Sequence, residues 1–220
     1  MAVSFRRNKR ARRLIIRLTR TQDSVVVTLP PRSSKEEALD FARRSRGWIA
    51  ARLAAGEAKV SFACGSAIPL RGTALTIVQD DAKRGTVRLE PERDLILVTG
   101  DSTHHARRVT DWLKAEAKRD LLAASARYAT LMSVKFHRVS VRDQRSRWGS
   151  CTSDGSLSYS WRLILAPSFV LDYVAAHEVA HLSHMDHSAR FWRVVLAHCP
   201  GARDARSWLR RNGASLHRYG

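Results

Sequence analysis

The sequence predicts an α+β fold, with a β-rich first half carrying one helix and a second half dominated by helices. Three observations carry that expectation. The first hundred residues break into short alternating, β-branched segments bounded by Gly, Pro and Asp. From about Ser102 the period becomes helical, with apolar residues recurring three and four apart. A chain of 220 residues with 44% hydrophobic and 27% charged content can also bury a full core, which argues against a disordered chain or a small disulfide-stapled scaffold. The expected division is 12–100 for the β-rich half and 101–212 for the helical half, together forming one compact unit.

Taken in order, Leu14, Ile16 and Leu18 alternate with Ile15, Arg17 and Thr19, so 14–18 reads as a first strand. Residues 24–29 read as a second, stopped by Pro30 and Pro31. A helix is expected over 35–55, with Ser34 as N-cap, Glu36 and Glu37 in its first turn, Trp48 as a core anchor and Gly56 as the stop. Strands are expected at 67–70, 73–78, 85–89 and 95–99. A long helix to about Met132 lays Val109, Trp112, Leu113, Ala117, Leu121, Leu122 and Tyr128 on one face, with His104 and His105 at the surface near its start. Strands at 136–142 and 156–165 flank RSRWGSC (145–151) and a turn at 152–155. Pro167 suits an early helical position, and a helix over 167–184 is expected to bury Phe169, Val170, Tyr173 and Val174. A further helix covers 188–198, and a short helical segment precedes Gly213.

Charge and cysteine usage narrow the setting. With 39 Lys+Arg against 20 Asp+Glu, the formal net charge is +19, and nucleic acid enters as a candidate partner. The densest run, Arg6, Arg7, Lys9, Arg10, Arg12, Arg13, Arg17 and Arg20, reads first as a solvated face, and no zinc-finger, KH or RRM signature accompanies it. Cys64, Cys151 and Cys199 are odd in number, widely spaced and without a CxxC, which argues against a disulfide framework. Cys64 and Cys199 are expected as small buried hydrophobes. No window of 18 apolar residues and no signal-peptide core are present, so a cytoplasmic setting without membrane contact is expected.

The chemistry concentrates in HEVAH, His177 to His181. Residues four apart share one helix face, so two imidazoles at this spacing can grip one Zn²⁺ while Glu178 points toward its water. Such a pattern arises by chance in about 1% of sequences of this composition. His187, ten residues beyond His177, would complete three protein ligands and leave a fourth position for water. His184 is the internal rival, but a ligand from beyond the helix closes a tetrahedral face more easily. One zinc per chain is the expected cofactor. Glu178 is the candidate general base, since zinc lowers the pKa of its water and the carboxylate can return the proton to a leaving amine. A structural zinc clip and a plain hydrogen-bonded core helix are the competing readings. Asp186 is expected to cap the next helix or to hold a ligand imidazole. Phe191 and Trp192 are expected to pack that helix on the metal-bearing one, with Arg190 and Arg193 solvated.

RSRWGSC, SYSWRLILAP (158–167) and LDYVAAHEVAHLSHMDHSARFW (171–192) resemble the YgjP-like metallopeptidase family, a group of zincin-like proteases, and the likeness runs over about 12–212. The resemblance implies a zincin-like fold with a sheet packed on the metal-bearing helix, and 101–212 as the catalytic half. It also implies His177, His181 and His187 as zinc ligands and Glu178 as the catalytic glutamate. Related zincins bind an extended peptide along a sheet edge, and the strand near 157–163 is the expected edge. The histidine spacing matches the metzincins, but His184 stands where they carry glycine, so the chain is not assigned to them. Gly149 is expected at a tight turn. Arg147 offers a guanidinium fork to a substrate carboxylate or oxyanion, or pairs with an acid while Trp148 fills the core; a structural or substrate-lining role is favoured over catalysis. Ser150 and Cys151 lack the base and orienter that a nucleophile needs.

These readings lead to a zinc-dependent hydrolase, foremost a metallopeptidase acting on a peptide or protein. A nucleoside-triphosphate pyrophosphatase is an alternative suited to the positive charge, although there is no P-loop and no carboxylate grouping suited to Mg²⁺. A second alternative is a nucleic-acid-associated protease or binding protein of the SprT type.

Overall fold

A computed structural model of the chain describes residues 2–18, 24–47, 49, 59–82, 86–144 and 146–220. Contacts gather into two units, Met1–Ala58 and Lys59–Gly220. Each has its own buried core.

The first unit holds β1 (Ala2–Arg7), β2 (Ile15–Leu18), β3 (Ser24–Leu29) and α1 (Lys35–Arg44). β3 is central, parallel to β1 and antiparallel to β2. Its alternation sends Val25, Val27 and Leu29 inward against Ala38 and Ala42 of α1. Ser34 caps α1 through a full capping box: its hydroxyl accepts from the Glu37 amide, and the Glu37 carboxylate accepts from the Ser34 amide, both at 3.0 Å. β1 is not among the expected strands: only Val3 and Phe5 carry its alternation, and Arg6 and Arg7 belong to the basic run that follows. Arg6, Arg7, Lys9, Arg10, Arg12, Arg13 and Arg17 are exposed. Arg20, Trp48 and the stretch 50–56 lie outside the described residues.

In the second unit, β4 (Ala67–Leu70), β5 (Thr73–Asp80), β6 (Val87–Glu90) and β7 (Leu95–Thr99) form a sheet ordered β4-β5-β7-β6. It shares one core with α2 (His105–Leu131), whose Val109, Leu113, Ala117 and Leu121 are fully buried. Two expectations on α2 are corrected. Leu122 is 44% exposed, because it falls one step past the buried stripe. His105 is buried, with Nδ1 3.2 Å from the Cys64 sulfur and Nε2 2.8 Å from the Gly100 carbonyl. Cys64 is therefore an exposed thiol with an imidazole partner, whereas Cys199 is buried as expected.

A three-stranded sheet faces the functional helix. β8 (Arg138–Arg142), β9 (Gly149–Cys151) and β10 (Ser156–Ser160) are ordered β8-β10-β9, with β10 parallel to β8 and antiparallel to β9. The strand expected to reach residue 165 ends at Ser160, and Trp161–Leu165 turn into a buried 3₁₀ segment. A short continuous apolar run does not distinguish the two by periodicity. The buried Arg162 holds this turn in place: it pairs with Asp143, donates to the Tyr219 carbonyl at 3.2 Å, and lies over the Trp161 ring.

Three helices complete the unit: α3 (Ser168–Ala180), α4 (Ala189–His198) and α5 (Ala202–Leu216). Pro167 is the N-cap of α3 rather than a residue inside it, and Phe169 is 46% exposed instead of buried. α3 is otherwise buried almost all round, in contact with α2, α4, α5 and β9. α5 runs through Gly213, the expected stop, because that glycine makes room for a neighbour: a Cβ there would lie 3.0 Å from the Trp148 ring. Among the described residues no helix is long and apolar enough to cross a membrane.

Candidate metal centre

His177 and Glu178 lie in the last turn of α3, and His181 is its C-cap, still right-handed at φ −62° and ψ −22°. The one-turn spacing therefore survives, and the two imidazoles sit 5.0 Å apart, nearly perpendicular at 88°. The chain then turns out of the helix, with the Leu182 amide donating to the Val179 carbonyl and the His184 amide to that of Ala180. That turn returns His187 to the pair, its ring 5.0 Å from His177 and 4.7 Å from His181. One ligand-capable atom from each of His177, His181 and His187 lies within 4.8 Å of the others.

The donor chemistry suits a metal. Nε2 of His187 and Nε2 of His177 face one another at 3.0 Å, so two ring nitrogens able to act as ligands converge on one small region. His181 Nδ1 is 3.0 Å from the His184 carbonyl. Nδ1–H donates there, which fixes the tautomer and leaves Nε2 as the free donor atom. His184 thus enters through its backbone, and its ring is not part of the cluster. Burial, reinforced by His181 and His187, drops His177 to about 3, and burial also lowers His181. Both are neutral at pH 7, the form that binds a metal. Phe191 stacks on His181 at 4.5 Å and meets His177 edge-on at 4.9 Å, with Trp192 at 5.8 Å, so α4 packs on α3 as expected. Arg190 and Arg193 are exposed. Asp186 accepts from the Ser188 amide at 3.3 Å and shapes the approach to α4, whose cap is Ser188.

Glu178 is 6% exposed, and burial pushes its carboxyl up to about 7 against the opposing pull of Arg147. It packs flush against β9. A Cβ on Gly149 would lie 2.5 Å from Glu178 Oε1 and 2.6 Å from its Cγ. Gly149 is therefore a close-approach glycine in a strand and not the tight turn expected of it. The expected substrate edge is corrected as well: β10 is central, and β9 is the edge strand beside α3.

Two cavities meet at Gly149, His177 and Glu178. One, of about 230 Å³, also holds Ser150, Cys151, His181 and His187. The other, of about 310 Å³, is walled by Trp148, Tyr173, Val174 and Leu209 and carries Arg147 and Arg206. Trp148 stacks on His217 at 5.1 Å and fills the seam beside Gly213 while lining this cavity. Burial, then Glu178, pushes the Cys151 thiol up to about 11, which keeps it protonated and leaves it a poor nucleophile. Arg206, Tyr173 and Leu209 had no signal as site residues in the sequence, since only the tertiary return of α5 brings two of them here.

Three convergent imidazoles, a buried carboxyl in the adjacent position and an edge strand alongside define a candidate metallohydrolase. The model of the YgjP-like metallopeptidase domain matches residues 12–212, and the chain belongs to that family. The family name points to a metallopeptidase, a hydrolase that works with a metal. Comparisons with curated proteins and with solved structures found no match.

Proposed function

We propose that this chain is a zinc-dependent metallopeptidase with a zincin-like arrangement, residues 101–212 supplying the catalytic machinery. The observation that carries the reading is the meeting of His177, His181 and His187 within 4.8 Å, with Glu178 next in sequence to the first. These three residues would hold one zinc per chain, an all-imidazole set typical of catalytic zinc. Zinc, when bound, supplies Lewis acidity toward water and toward the carbonyl under attack. Glu178 accepts a proton at its carboxylate and hands it to the leaving amine. Burial strengthens its hold on that proton and Arg147 weakens it, which suits both halves of the task near neutral pH. β9 offers backbone groups to an extended peptide, which positions a scissile bond without demanding a particular sequence. The carbonyl of His184 keeps His181 oriented, and Asp186 sets the path that brings His187 back. Three free thiols suit a reducing compartment such as the cytoplasm. The +19 charge supports nucleic acid as a further partner, to be tested by salt-sensitive binding that survives Glu178→Ala.

The test compares the zinc-loaded wild type with Glu178→Gln on unstructured peptides and nucleoside triphosphates in parallel. The expected result is peptide cleavage by the wild type, its loss in the variant with zinc retained, and no triphosphate turnover. Triphosphate hydrolysis without peptide cleavage would overturn the substrate class, and undiminished cleavage by Glu178→Gln would overturn its role.

A further inference from the structure

The larger of the two cavities is not used by the chemistry above, although it opens on the same Glu178 and His177. Its walls are apolar or aromatic, from Trp148, Tyr173, Val174 and Leu209. Its cations are Arg147, from the segment before β9, and Arg206, from α5. Among the described residues neither forms an ion pair with a carboxylate. An arginine-rich chain has many such guanidiniums on its surface, so that alone decides nothing. What sets these two apart is convergence on one cavity, next to imidazoles suited to hold a dication. Like charges gathered in that way repel one another; the carboxyl lining the same cavity, Glu178, interacts with Arg147, and among the described residues Arg206 has no carboxylate of its own. Arg206 is also not loose: its guanidinium lies over the Trp192 ring, 5.1 Å from the centroid, and that ring is 5.8 Å from His177. A guanidinium fork matches a carboxylate in shape as well as in charge.

Building on the peptidase reading, we propose that this cavity is a substrate subsite. It takes an apolar side chain next to the scissile bond and pairs a nearby substrate carboxylate with Arg206 and Arg147. The carboxylate is either the peptide's own C-terminus or an acidic side chain close by, and the two sources are separable by experiment.

The probe is a set of three dye-labelled peptides with one apolar core: a free C-terminal acid, a C-terminal amide with an internal Glu, and an amide without any acid. Binding to zinc-loaded Glu178→Gln protein is read by fluorescence anisotropy, and cleavage by the zinc-loaded wild type is followed in parallel. At least one carboxylate peptide is expected to bind about tenfold more tightly than the neutral one, and the stronger of the two identifies the source. Added to Glu178→Gln, Arg206→Glu is expected to abolish the preference, while Arg206→Lys keeps its sign with a smaller ratio. In wild-type cleavage the preference is expected in KM rather than kcat. Equal binding of all three peptides, no binding of any, or a preference that survives Arg206→Glu combined with Arg147→Glu would overturn the subsite. Cleavage without the preference overturns the subsite and spares the peptidase reading. Carboxylate-dependent binding without cleavage does the reverse.

Discussion

Replacing Gly149 by alanine puts a methyl group 2.5 Å from Glu178 Oε1, 2.6 Å from its Cγ and 2.8 Å from its Cδ. Ordinary contact begins near 3.4 Å, so the carboxylate or the strand must give way by most of an ångström. Glu178 is buried and β9 is tied to β10, so neither moves freely. Overpacking of this kind costs about 1–3 kcal/mol, which in a chain of this size lowers Tm by about 2–12 °C. A misplacement of about 1 Å at a catalytic group lowers the rate by about a hundredfold. The assay is a double-mutant cycle in urea, with Gly149→Ala measured in the wild type and in Glu178→Ala, together with zinc content and peptide cleavage. The substitution should destabilise the wild type, do little once the Glu178 side chain is gone, and leave zinc bound while cleavage falls. Equal destabilisation in the two backgrounds would refute the reasoning, as would full cleavage with an unchanged Tm.

Zinc added to the metal-free protein at a hundred times its Kd should stabilise it by about 2.7 kcal/mol, read as a Tm rise that His177→Ala abolishes. Asp143→Ala leaves the buried Arg162 guanidinium with the Tyr219 carbonyl and the Trp161 face as its remaining neighbours, so urea unfolding should show a loss of about 1–3 kcal/mol. Hydrogen bonds from the Thr152 hydroxyl and from the Ser156 amide and hydroxyl hold Asp154 down at about 2. A depressed carboxyl contributes stability above its ordinary value of 3.8, and that contribution fades as pH falls toward 2. Asp154→Asn should therefore lower stability at neutral pH and flatten this part of the acid Tm profile relative to the wild type.

The convergence of the three histidines is legible because a helix leaves little freedom. The spacing of His177 and His181 fixes a shared face, and the 182–186 stretch signals the exit that returns His187. Ser34 is legible as a helix start for the same local reason, whereas the capping expected of Asp186 falls two residues later, on Ser188. What local patterns do not carry is long-range pairing. The three residues Gly149–Cys151 have no periodicity of their own, so nothing marked β9 rather than β10 as the edge. His105 is drawn inward by partners at Cys64 and Gly100. Gly213 reads as a helix stop until Trp148, some sixty residues earlier, is seen to need the space. Arg206 likewise reads as one more surface arginine until α5 folds back beside Trp192.

The most direct test of the central claim is a zinc-edge X-ray absorption spectrum of the zinc-loaded wild type and of His187→Ala. Three imidazole nitrogens and one oxygen at about 2.0–2.1 Å are expected in the wild type, with one imidazole missing in the variant. A sulfur at about 2.3 Å, as Cys151 would give, or a spectrum indifferent to His187→Ala would contradict it.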